Sequence, residues 1–503
     1  MQFTITERDE SGRINVAFST TSASGKPPGE YLGVVEADKG RTNWRLFLAN
    51  VFLPAGYPTS VSPDYLQYQI YNAVQAFCSS LSGLIASRAV LEGHGVGNAS
   101  ASATHAIFLT VIQDVFGRLT TVIAGYYLGT SLFPEAKTYR LLADIFNDAA
   151  ILLDALSPHL TSVSISLRYP FVSYGSSSYL RVVSLCLSGT FRALCGVVAG
   201  GSKAALTVHF ATSGNRIGDV GDLNAKDGSK ETVLALLGML GGTVVMHYVH
   251  SSGPTYLVFF MLLFCHLAAN YVAVRAVVMR SFNRQRANIV WMAYRAKFAE
   301  GNKTILTPEA VARRERIFGN PATLYDASSP RLRLGFCKIG APFASILSSH
   351  HSIRSNSGDA RFRGSDGDLS VSQVHAILEV FTDERYVLWF DPNPQHTSLH
   401  LRICMKEGHT AIDHLKGWAH ALELALHVVG SVPNTFDERI GAVRTSLCKV
   451  MDMFPSFLQS AQTSGWRTDE GGLLAGSARA LSVKYGQDLE GEAVVGKEDR
   501  KNV

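Results

Sequence analysis

The feature that most restricts this chain is a long stretch without charged side chains. From Thr232 to Val274 there is no Asp, Glu, Lys or Arg, and the turn signal Ser251-Ser-Gly-Pro254 divides the stretch into two apolar halves. Each half has about 20 residues, the length that crosses a bilayer as an α-helix. Two buried helices of a large soluble protein are the alternative, but such helices rarely avoid charge over two full spans. The stretch therefore predicts a transmembrane helical hairpin.

Other apolar segments extend this prediction toward the N-terminus. Charged residues make up 17% of the chain, against about 25% in ordinary soluble proteins, and the shortage is concentrated in the middle. Ser62-Pro63-Asp64 places a capping residue before a proline and an acid, which predicts a helix start. Further segments with few or no charges are 72–87, 99–113, 119–133, 141–160 and 182–201. We expect about five membrane helices, within a core that extends from about residue 65 to about residue 280.

The charges that flank the hairpin predict its orientation. Lys226 and Lys230 precede it, and five arginines follow it, namely Arg275, Arg280, Arg284, Arg286 and Arg295. Because both ends of a hairpin lie on one side, the positive-inside rule places that side in the cytoplasm or its organellar equivalent.

The flanks of the core have the charge and periodicity of soluble segments. Residues 31–52 alternate loosely and predict short strands, and Thr307 opens a charged helix. Strands are predicted over 385–390 and 398–405, followed by a helix capped by Thr410 and a helical stripe over 434–458. The predicted fold is mainly α, a polytopic helical membrane core with a small soluble α+β C-terminal domain. Its parts are an N-terminal soluble segment with short strands (1–53), the core (54–300), a charged helix and connector (301–349), a flexible insertion (350–372), the α+β domain (373–462) and a disordered tail (463–503).

Composition and motifs exclude several functions. The net charge is +5, but no basic stripe with interleaved aromatic residues appears, so nucleic acid is not an expected partner. Seven scattered cysteines without a C-x-x-C pair indicate reduced thiols rather than a metal site or disulfides. We expect no metal, no cofactor and no catalytic residues, since none of the familiar catalytic motifs is present. The N-terminus resembles neither a signal peptide nor a transit peptide.

Several polar residues fall inside the apolar segments, where charge is costly. They are Asp114, Arg118, Asp144, Asn147, Asp148 and Arg192. Asp114 and Arg118 lie one helical turn apart and either neutralise each other inside the bundle or line a substrate path. Asp144, Asn147 and Asp148 share one helical face, which can bind a cation, relay protons or cap neighbouring helices.

Two glycine-containing junctions form a candidate anion site. In the first, paired glycines entering a helix can present backbone N–H groups to an anion. The second precedes the hairpin, where Ser229 is a candidate N-cap at the positive end of a helix. Close helix packing and ordinary capping are the alternative explanation for both junctions. The candidate anion-binding residues are Gly200, Gly201, Ser202, Lys203, Asn224, Lys226, Ser229 and Lys230.

Several of these segments resemble the root UVB sensitive family, formerly a domain of unknown function found across eukaryotes. The resemblance covers about residues 45–300 and is carried, in order, by segments 52–69, 89–97, 142–148, 199–210, 225–232, 266–275 and 283–287. Gly221-Asp-Leu looks like an insertion relative to the family pattern. The resemblance implies a multi-pass membrane protein, and in plants it implies links to ultraviolet-B responses, seedling growth, auxin distribution and vitamin B6 homeostasis. It supplies no catalytic residues.

Two functions of different class remain open. In the first, the core is a carrier or binding protein for a small anionic metabolite, with a phosphorylated B6 vitamer suggested by the resemblance. In the second, the chain is a membrane scaffold that recruits partners through its soluble domain. A membrane enzyme comes third. The expected partners are the lipid bilayer, a small anionic metabolite, and another family member or a second copy of the chain. The expected location is a membrane, with no organelle assigned.

Overall fold

The computed structural model describes residues 4–8, 14–21, 31–37, 44–93, 103–162, 177–213, 216–248, 252–326, 332–347, 369–391, 399–430, 433–476 and 480–483. The chain divides into two compact units, residues 1–278 and 279–503. The helical core therefore ends earlier than the predicted residue 300. Of the predicted flexible insertion (350–372), residues 350–368 lie outside the described residues.

The N-terminal unit begins with a small antiparallel sheet and a short helix. Its strands pair in the order β1–β2–β3, and they are β1 (Thr4–Arg8), β2 (Ile14–Thr21) and β3 (Tyr31–Ala37). The prediction of short strands over 31–52 is confirmed for β3 but wrong for Trp44–Phe52, which forms helix α1. Trp44, Phe47 and Leu48 are all exposed, and their i, i+3, i+4 spacing places them on one side of a helix rather than one side of a strand.

Six longer helices follow in the described part of this unit. They are α2 (Tyr65–Gly93), α3 (Ala103–Leu128), α4 (Ala136–Leu156), α5 (Ser177–Phe210), α6 (Val220–Tyr248) and α7 (Ser252–Ala276). A 3-10 turn (His159–Ser162) follows α4, and the short strands β4 (Thr212–Ser213) and β5 (Arg216–Ile217) lie between α5 and α6.

Five of these helices, α2, α3, α5, α6 and α7, are long and apolar enough to cross a bilayer. The two apolar halves of the predicted hairpin form the helices α6 and α7, and residues 249–251 between them lie outside the described residues. Residues 103–113 and 119–128 of two predicted apolar segments join in the single helix α3. Helix α4 carries several charges and packs against α2, α5 and α7.

The helices of this unit turn apolar side chains outward and polar side chains inward. Val122 on α3 is 71% exposed, and Leu257 and Phe264 on α7 are 74% and 73% exposed. His266 and Asn270 on the same α7 are only 1% exposed. Soluble monomers rarely expose large apolar surfaces. This distribution therefore suits a bundle surrounded by lipid.

Glycines let α2 and α6 approach each other closely. Gly238 and Gly242 on α6 have the small-xxx-small spacing of close helix pairs in membranes. A Cβ atom on Gly238 would lie 2.7 Å from the Cβ atom of Ser80 and 2.9 Å from the carbonyl oxygen of Phe77. The crossing leaves no room for a side chain at this position.

The C-terminal unit combines a mixed sheet with helices. The sheet has the order β6–β7–β9–β8, with β7 and β9 parallel and the other neighbours antiparallel. Its strands are β6 (Thr323–Tyr325), β7 (Arg333–Ile339), β8 (Tyr386–Asp391) and β9 (Leu399–Met405). The helices are α8 (Arg284–Ala299), α9 (Pro308–Arg314), α10 (Ala344–Leu347), α11 (Val371–Val380), α12 (Ala411–Val428) and α13 (Phe436–Thr463). The fold is therefore mainly α with a small α+β C-terminal domain, as predicted.

The predicted capping residues of this unit are confirmed. The Thr307 side chain accepts a hydrogen bond from the backbone N–H of Ala310 at the start of α9. At the start of α12, the backbone N–H of Thr410 donates to the Asp413 carboxylate at 2.8 Å. Both pairs satisfy backbone N–H groups that a helix start leaves without partners.

Helix α8 belongs to the C-terminal unit because of its aromatic side chains. Trp291 and Tyr294 are buried, and their ring centroids lie 5.0 and 5.2 Å from the ring of Phe457 on α13. Burial of this aromatic cluster explains why the boundary between the units lies at residue 278 rather than 300.

The chain beyond α13 is more ordered than predicted. Trp466 is buried and stacks on Phe282 with a centroid distance of 4.4 Å. The backbone N–H of Leu481 donates to the carbonyl oxygen of Met405 at 2.8 Å. The prediction of a disordered tail from residue 463 is therefore wrong for residues 464–476 and 480–483, and residues 484–503 lie outside the described residues.

A buried histidine joins three elements of the C-terminal unit. His420 on α12 lies 3.1 Å from the Tyr386 hydroxyl on β8 and 2.9 Å from the Ser446 hydroxyl on α13. Burial lowers the pKa of His420 to about 3, against the opposing effect of a hydrogen bond with the Val443 carbonyl. The imidazole is therefore neutral in the folded unit near pH 7.

Substitution of two glycines on α6 tests the close crossing. Gly238→Ala should lower the stability of the protein by about 1–3 kcal/mol, because the new methyl group overlaps Ser80 and a backbone oxygen. Gly228→Ala is the matched control, since nothing lies within 4 Å of its added Cβ atom, and alanine should stabilise the helix by up to about 1 kcal/mol. Thermal unfolding in detergent measures both. Equal effects of the two substitutions would contradict the crossing.

Acid should destabilise the folded C-terminal unit. Between pH 7 and pH 5, His420 alone should cost the C-terminal unit about 2 kcal/mol of stability, because unfolded histidine gains a proton near pH 6.5 and folded His420 stays neutral to about pH 3. Burial lowers the pKa of His414 to about 4, so His414 should contribute a similar loss, and His420→Gln should remove about half of the loss that the two histidines cause together. Tryptophan fluorescence reports this unit, which contains all the tryptophans except Trp44. An unchanged pH dependence in His420→Gln would contradict the assignment.

Candidate functional site

The candidate site is a polar cavity among the helices of the N-terminal unit. Its volume is about 470 Å³, within the range of about 300–1,000 Å³ that small-molecule sites occupy. Helices α2, α4, α5 and α6 supply its walls. The lining residues are Gln75, Ala76, Ser79, Ser80, Arg140, Asp144, Asn147, Cys195, Ala199, Gly200, Lys203, Glu231 and Ala235.

Two ion pairs form the charged part of the wall. Arg140 Nη1 donates to both carboxylate oxygens of Asp144, at 3.0 and 2.9 Å. Lys203 Nζ donates to both carboxylate oxygens of Glu231, each at 2.8 Å. The wall therefore has two cations and two anions and is formally neutral.

The two pairs differ in their exposure. The side chains of Arg140 and Asp144 are only 11% and 9% exposed, whereas those of Lys203 and Glu231 are 35% and 40% exposed. Separating a buried pair leaves an uncompensated charge in a poor solvent, but separating a partly exposed pair costs little. Lys203 is therefore the cation that can exchange its carboxylate for a ligand.

Arg140 also connects α4 to the polar face of α2. Its Nε donates to the Tyr68 hydroxyl and its Nη2 to Asn72 Oδ1, each at 3.3 Å. Gln75 Nε2 donates to the same oxygen of Asn72 at 2.9 Å. These bonds use the donors that burial of a guanidinium group would otherwise leave without partners.

The network continues from α2 to α7 through His266. His266 Nε2 lies 2.8 Å from Gln75 Oε1, and His266 Nδ1 lies 2.7 Å from Asp148 Oδ1. His266 Nε2 is also 4.0 Å from Asp144 Oδ1. A single polar network therefore links α2, α4 and α7 next to the cavity.

A second polar cluster lies at the start of α2. Asp227 on α6 accepts hydrogen bonds from the Tyr65 hydroxyl and from Gln69 Nε2, each at 3.0 Å, and pairs with Lys230 at 2.7 Å. A narrow pocket of about 20 Å³ beside it is lined by Asp227 and shares Arg140, Lys203 and Glu231 with the cavity. The cluster thus lies beside the cavity and borders the same charged residues.

The structure brings together only some of the predicted anion-binding residues. Gly200 and Lys203 line the cavity, and Lys230 pairs with Asp227. Gly201 packs on Leu132 instead. The others do not line the cavity, namely Ser202, Asn224, Lys226 and Ser229. Anion binding by Lys203 and Lys230 stays a prediction.

The predicted helix starts at both junctions are wrong. Gly200 to Lys203 lie within α5, which begins at Ser177, so their backbone N–H groups bond within the helix. The Ser202 hydroxyl donates to the carbonyl oxygen of Val198 at 2.7 Å. Likewise α6 begins at Val220, so Ser229 is not its N-cap, and its hydroxyl donates to the carbonyl oxygen of Ala225 at 3.0 Å. An anion site built on a helix N-terminus is excluded at these two positions.

The predicted intramembrane polar residues fall into two groups. Asp144 and Asn147 line the cavity, and Asp148 contacts His266. Arg192 forms an ion pair with Asp154. Asp114 and Arg118 face outward on α3, so the expectation that they face the bundle interior is wrong, and a place along a substrate path stays a prediction. Helix α3 packs on α5 through the side that carries Gly117, and Asp114 and Arg118 lie on another side of the helix.

Several site residues were not predicted from the sequence. They are Tyr65, Tyr68, Gln69, Asn72, Gln75, Arg140, Asp227, Glu231 and His266. On α2 a signal was present, because Tyr65, Tyr68, Gln69, Asn72 and Gln75 recur at helical spacing and all are buried. Among the described residues, no group of three or more His, Cys, Asp or Glu side chains is placed to hold a metal ion.

Comparison with known proteins gives one family. Residues 38–297 match the family described as the vitamin B6 photo-protection and homoeostasis domain. Similar proteins are RUS family member 1 of Dictyostelium discoideum, 34% identical over 57% of this chain, and root UVB sensitive 3 of Arabidopsis thaliana, 27% identical over 85%. The aligned part is 50% of the length of the first and 84% of the second. No solved structure shows a significant match.

Removal of one partner of the buried pair tests the site geometry. Asp144→Asn should destabilise the protein by about 3–5 kcal/mol, because Arg140 would remain buried without a counterion. Glu92→Gln is the control, since it breaks the exposed Arg88–Glu92 pair and should cost less than about 1 kcal/mol. The double variant Arg140→Met/Asp144→Leu should recover most of the loss in thermal unfolding. An effect of Asp144→Asn as small as that of Glu92→Gln would contradict burial of Arg140.

Proposed function

This chain belongs to the root UVB sensitive family, whose shared domain is that of vitamin B6 photo-protection and homoeostasis, and we propose that its helical core is a membrane carrier for a small anionic metabolite. The cavity with its exchangeable Lys203–Glu231 pair is the observation that carries the proposal. A bundle with a merely structural role needs no polar cavity of about 470 Å³ beside costly buried charges.

The proposal includes a location in a membrane. Five helices have the length and composition to cross a bilayer, and their outward faces are mostly apolar, with Asp114 and Arg118 on α3 as charged exceptions. By the positive-inside rule, the two ends of the α6–α7 hairpin, which carry Lys226, Lys230 and Arg275, lie on the cytoplasmic side or its organellar equivalent.

The charges of the cavity favour a particular class of ligand. An anionic group can take the place of Glu231 at Lys203 and gain charge-assisted hydrogen bonds. The released carboxylate and the neighbouring Asn147, Ser79 and Gln75 side chains then offer acceptors and donors to a polar ring. A phosphorylated B6 vitamer has both an anionic phosphate and a polar pyridine ring, and the family description supports this choice.

Transport by purified protein in sealed liposomes tests the proposal. We expect saturable uptake of pyridoxal 5′-phosphate, with weaker uptake of pyridoxal and inorganic phosphate. Lys203→Ala should lower the uptake at least about tenfold, since a hydrogen bond to a charged group contributes about 1.5–3 kcal/mol. Arg88→Ala is the matched control, because it removes a cation from an exposed pair on the same unit, outside the cavity, and should leave the uptake unchanged.

A negative result in this assay would contradict the proposal. Folded protein that neither takes up nor binds any of the three compounds would contradict a carrier for this class of metabolite. Capture of protein partners by such a preparation would instead support a membrane scaffold acting through its C-terminal unit.

A further inference from the structure

His266 on α7 and Asp148 on α4 meet within the helical unit, away from water. They are 1% and 6% exposed. The apolar residues Leu262 and Leu263, one turn from His266, and Ile151, near Asp148, belong to one buried cluster. Ionisable residues at such depth are costly, and pairs of histidine and carboxylate are recurrent components of proton pathways in membrane proteins.

The hydrogen-bond network determines which nitrogen of His266 carries a proton. Arg140 can only donate, so Asn72 presents its oxygen to it, and Gln75 donates its Nε2 to that same oxygen. Gln75 therefore presents its oxygen Oε1 to His266 Nε2 at 2.8 Å. Since Oε1 can only accept, Nε2 of His266 carries a hydrogen.

This assignment leaves one proton between His266 and Asp148. Nδ1 of His266 and Oδ1 of Asp148 are 2.7 Å apart, an ion-pair distance, and neither atom has a hydrogen bond of standard geometry among the described residues. Two lone pairs would repel at this distance, so one of the two groups carries a proton, either Nδ1 as imidazolium or the carboxyl group. The pair is neutral overall with this proton and has a charge of −1 without it.

We infer that His266 and Asp148 bind one exchangeable proton and that this proton accompanies the anion through the carrier. The inference rests on the proposed function. No co-reactant is needed, because the proton comes from water on one side of the membrane and returns to water on the other.

The pair is connected to the cavity by Asp144 and Gln75. His266 Nε2 is 4.0 Å from Asp144, and both Asp144 and Gln75 line the cavity. Among the described residues, the other titratable or charged groups near the pair are Arg140 on α4, Tyr68 and Cys78 on α2, Cys195 on α5 and Cys265 on α7. Thiols and phenols ordinarily ionise well above pH 7.

Charge balance links proton binding to anion binding. With the proton bound, the four residues Arg140, Asp144, His266 and Asp148 have a net charge of zero. Without the proton, the same four residues have a net charge of −1, which repels an anion. Proton and anion should thus bind together and leave together.

Nitrogen NMR of the full chain in nanodiscs tests the proton site directly. With ¹⁵N-labelled histidine and His266→Gln to identify the signal, Nε2 of His266 should stay protonated throughout the pH range, and Asp148→Asn should change the protonation of Nδ1. A His266 signal with hydrogen on Nδ1 and none on Nε2 near pH 7 would overturn the inference, whatever the transport assay shows.

Uptake by liposomes tests the coupling. With pyridoxal 5′-phosphate as probe, the initial rate should fall about tenfold for each pH unit above the midpoint of the pair, and a trapped pH dye should report proton entry with the probe. Asp148→Asn should abolish this pH dependence. Asp154→Asn, on the same helix and paired with Arg192, is the matched control and should preserve it.

The NMR and uptake experiments together distinguish failure of the inference from failure of the proposed function. Saturable uptake that does not depend on pH and does not move protons would overturn the coupling while leaving the carrier. Absence of uptake together with the expected NMR titration would contradict the carrier and the coupling while confirming the proton site.

Discussion

The buried Arg140–Asp144 pair is the interaction on which the interior of the helical unit depends. It occupies α4, a helix enclosed by α2, α5 and α7, and its remaining donors reach Tyr68 and Asn72 on α2. Burial of a guanidinium group is tolerated only when its donors are satisfied. The polar face of α2 and the position of α4 therefore require each other, and the cavity lies where they meet.

The surface of the same unit is mostly apolar, in contrast to its polar interior. Apolar side chains on α3, α6 and α7 are exposed, and small residues such as Gly238 bring helix backbones together where packing rather than water must hold them. Such an inverted distribution lets a polar cavity exist inside a lipid-facing bundle. The C-terminal unit has the ordinary arrangement, with Trp389, Trp418 and their neighbours in an apolar core.

Much of this fold could be predicted from local composition, but the pairing of side chains far apart in the chain could not. The hairpin was predictable because absence of charge is a property of one contiguous segment. Pairing of Lys203 with Glu231, or of His266 with Asp148, joins residues far apart in the chain and depends on how helices pack. Gly200 and Gly201 suggested a helix start, yet α5 continues through them because Gly201 packs on Leu132. The segments that carry the family resemblance nevertheless supply Tyr68, Asp144, Lys203, Glu231 and His266, which surround the cavity.

Access of water to Cys195 tests the central claim most directly, because this thiol lines the cavity whereas Cys265 lies against the apolar cluster. In sealed liposomes, a variant with Cys195 as its single cysteine should react with a membrane-impermeant thiol reagent, and pyridoxal 5′-phosphate should slow the reaction. The corresponding Cys265 variant should react only with a permeant reagent. Reaction of Cys195 with the permeant reagent alone would contradict an aqueous cavity within the bundle.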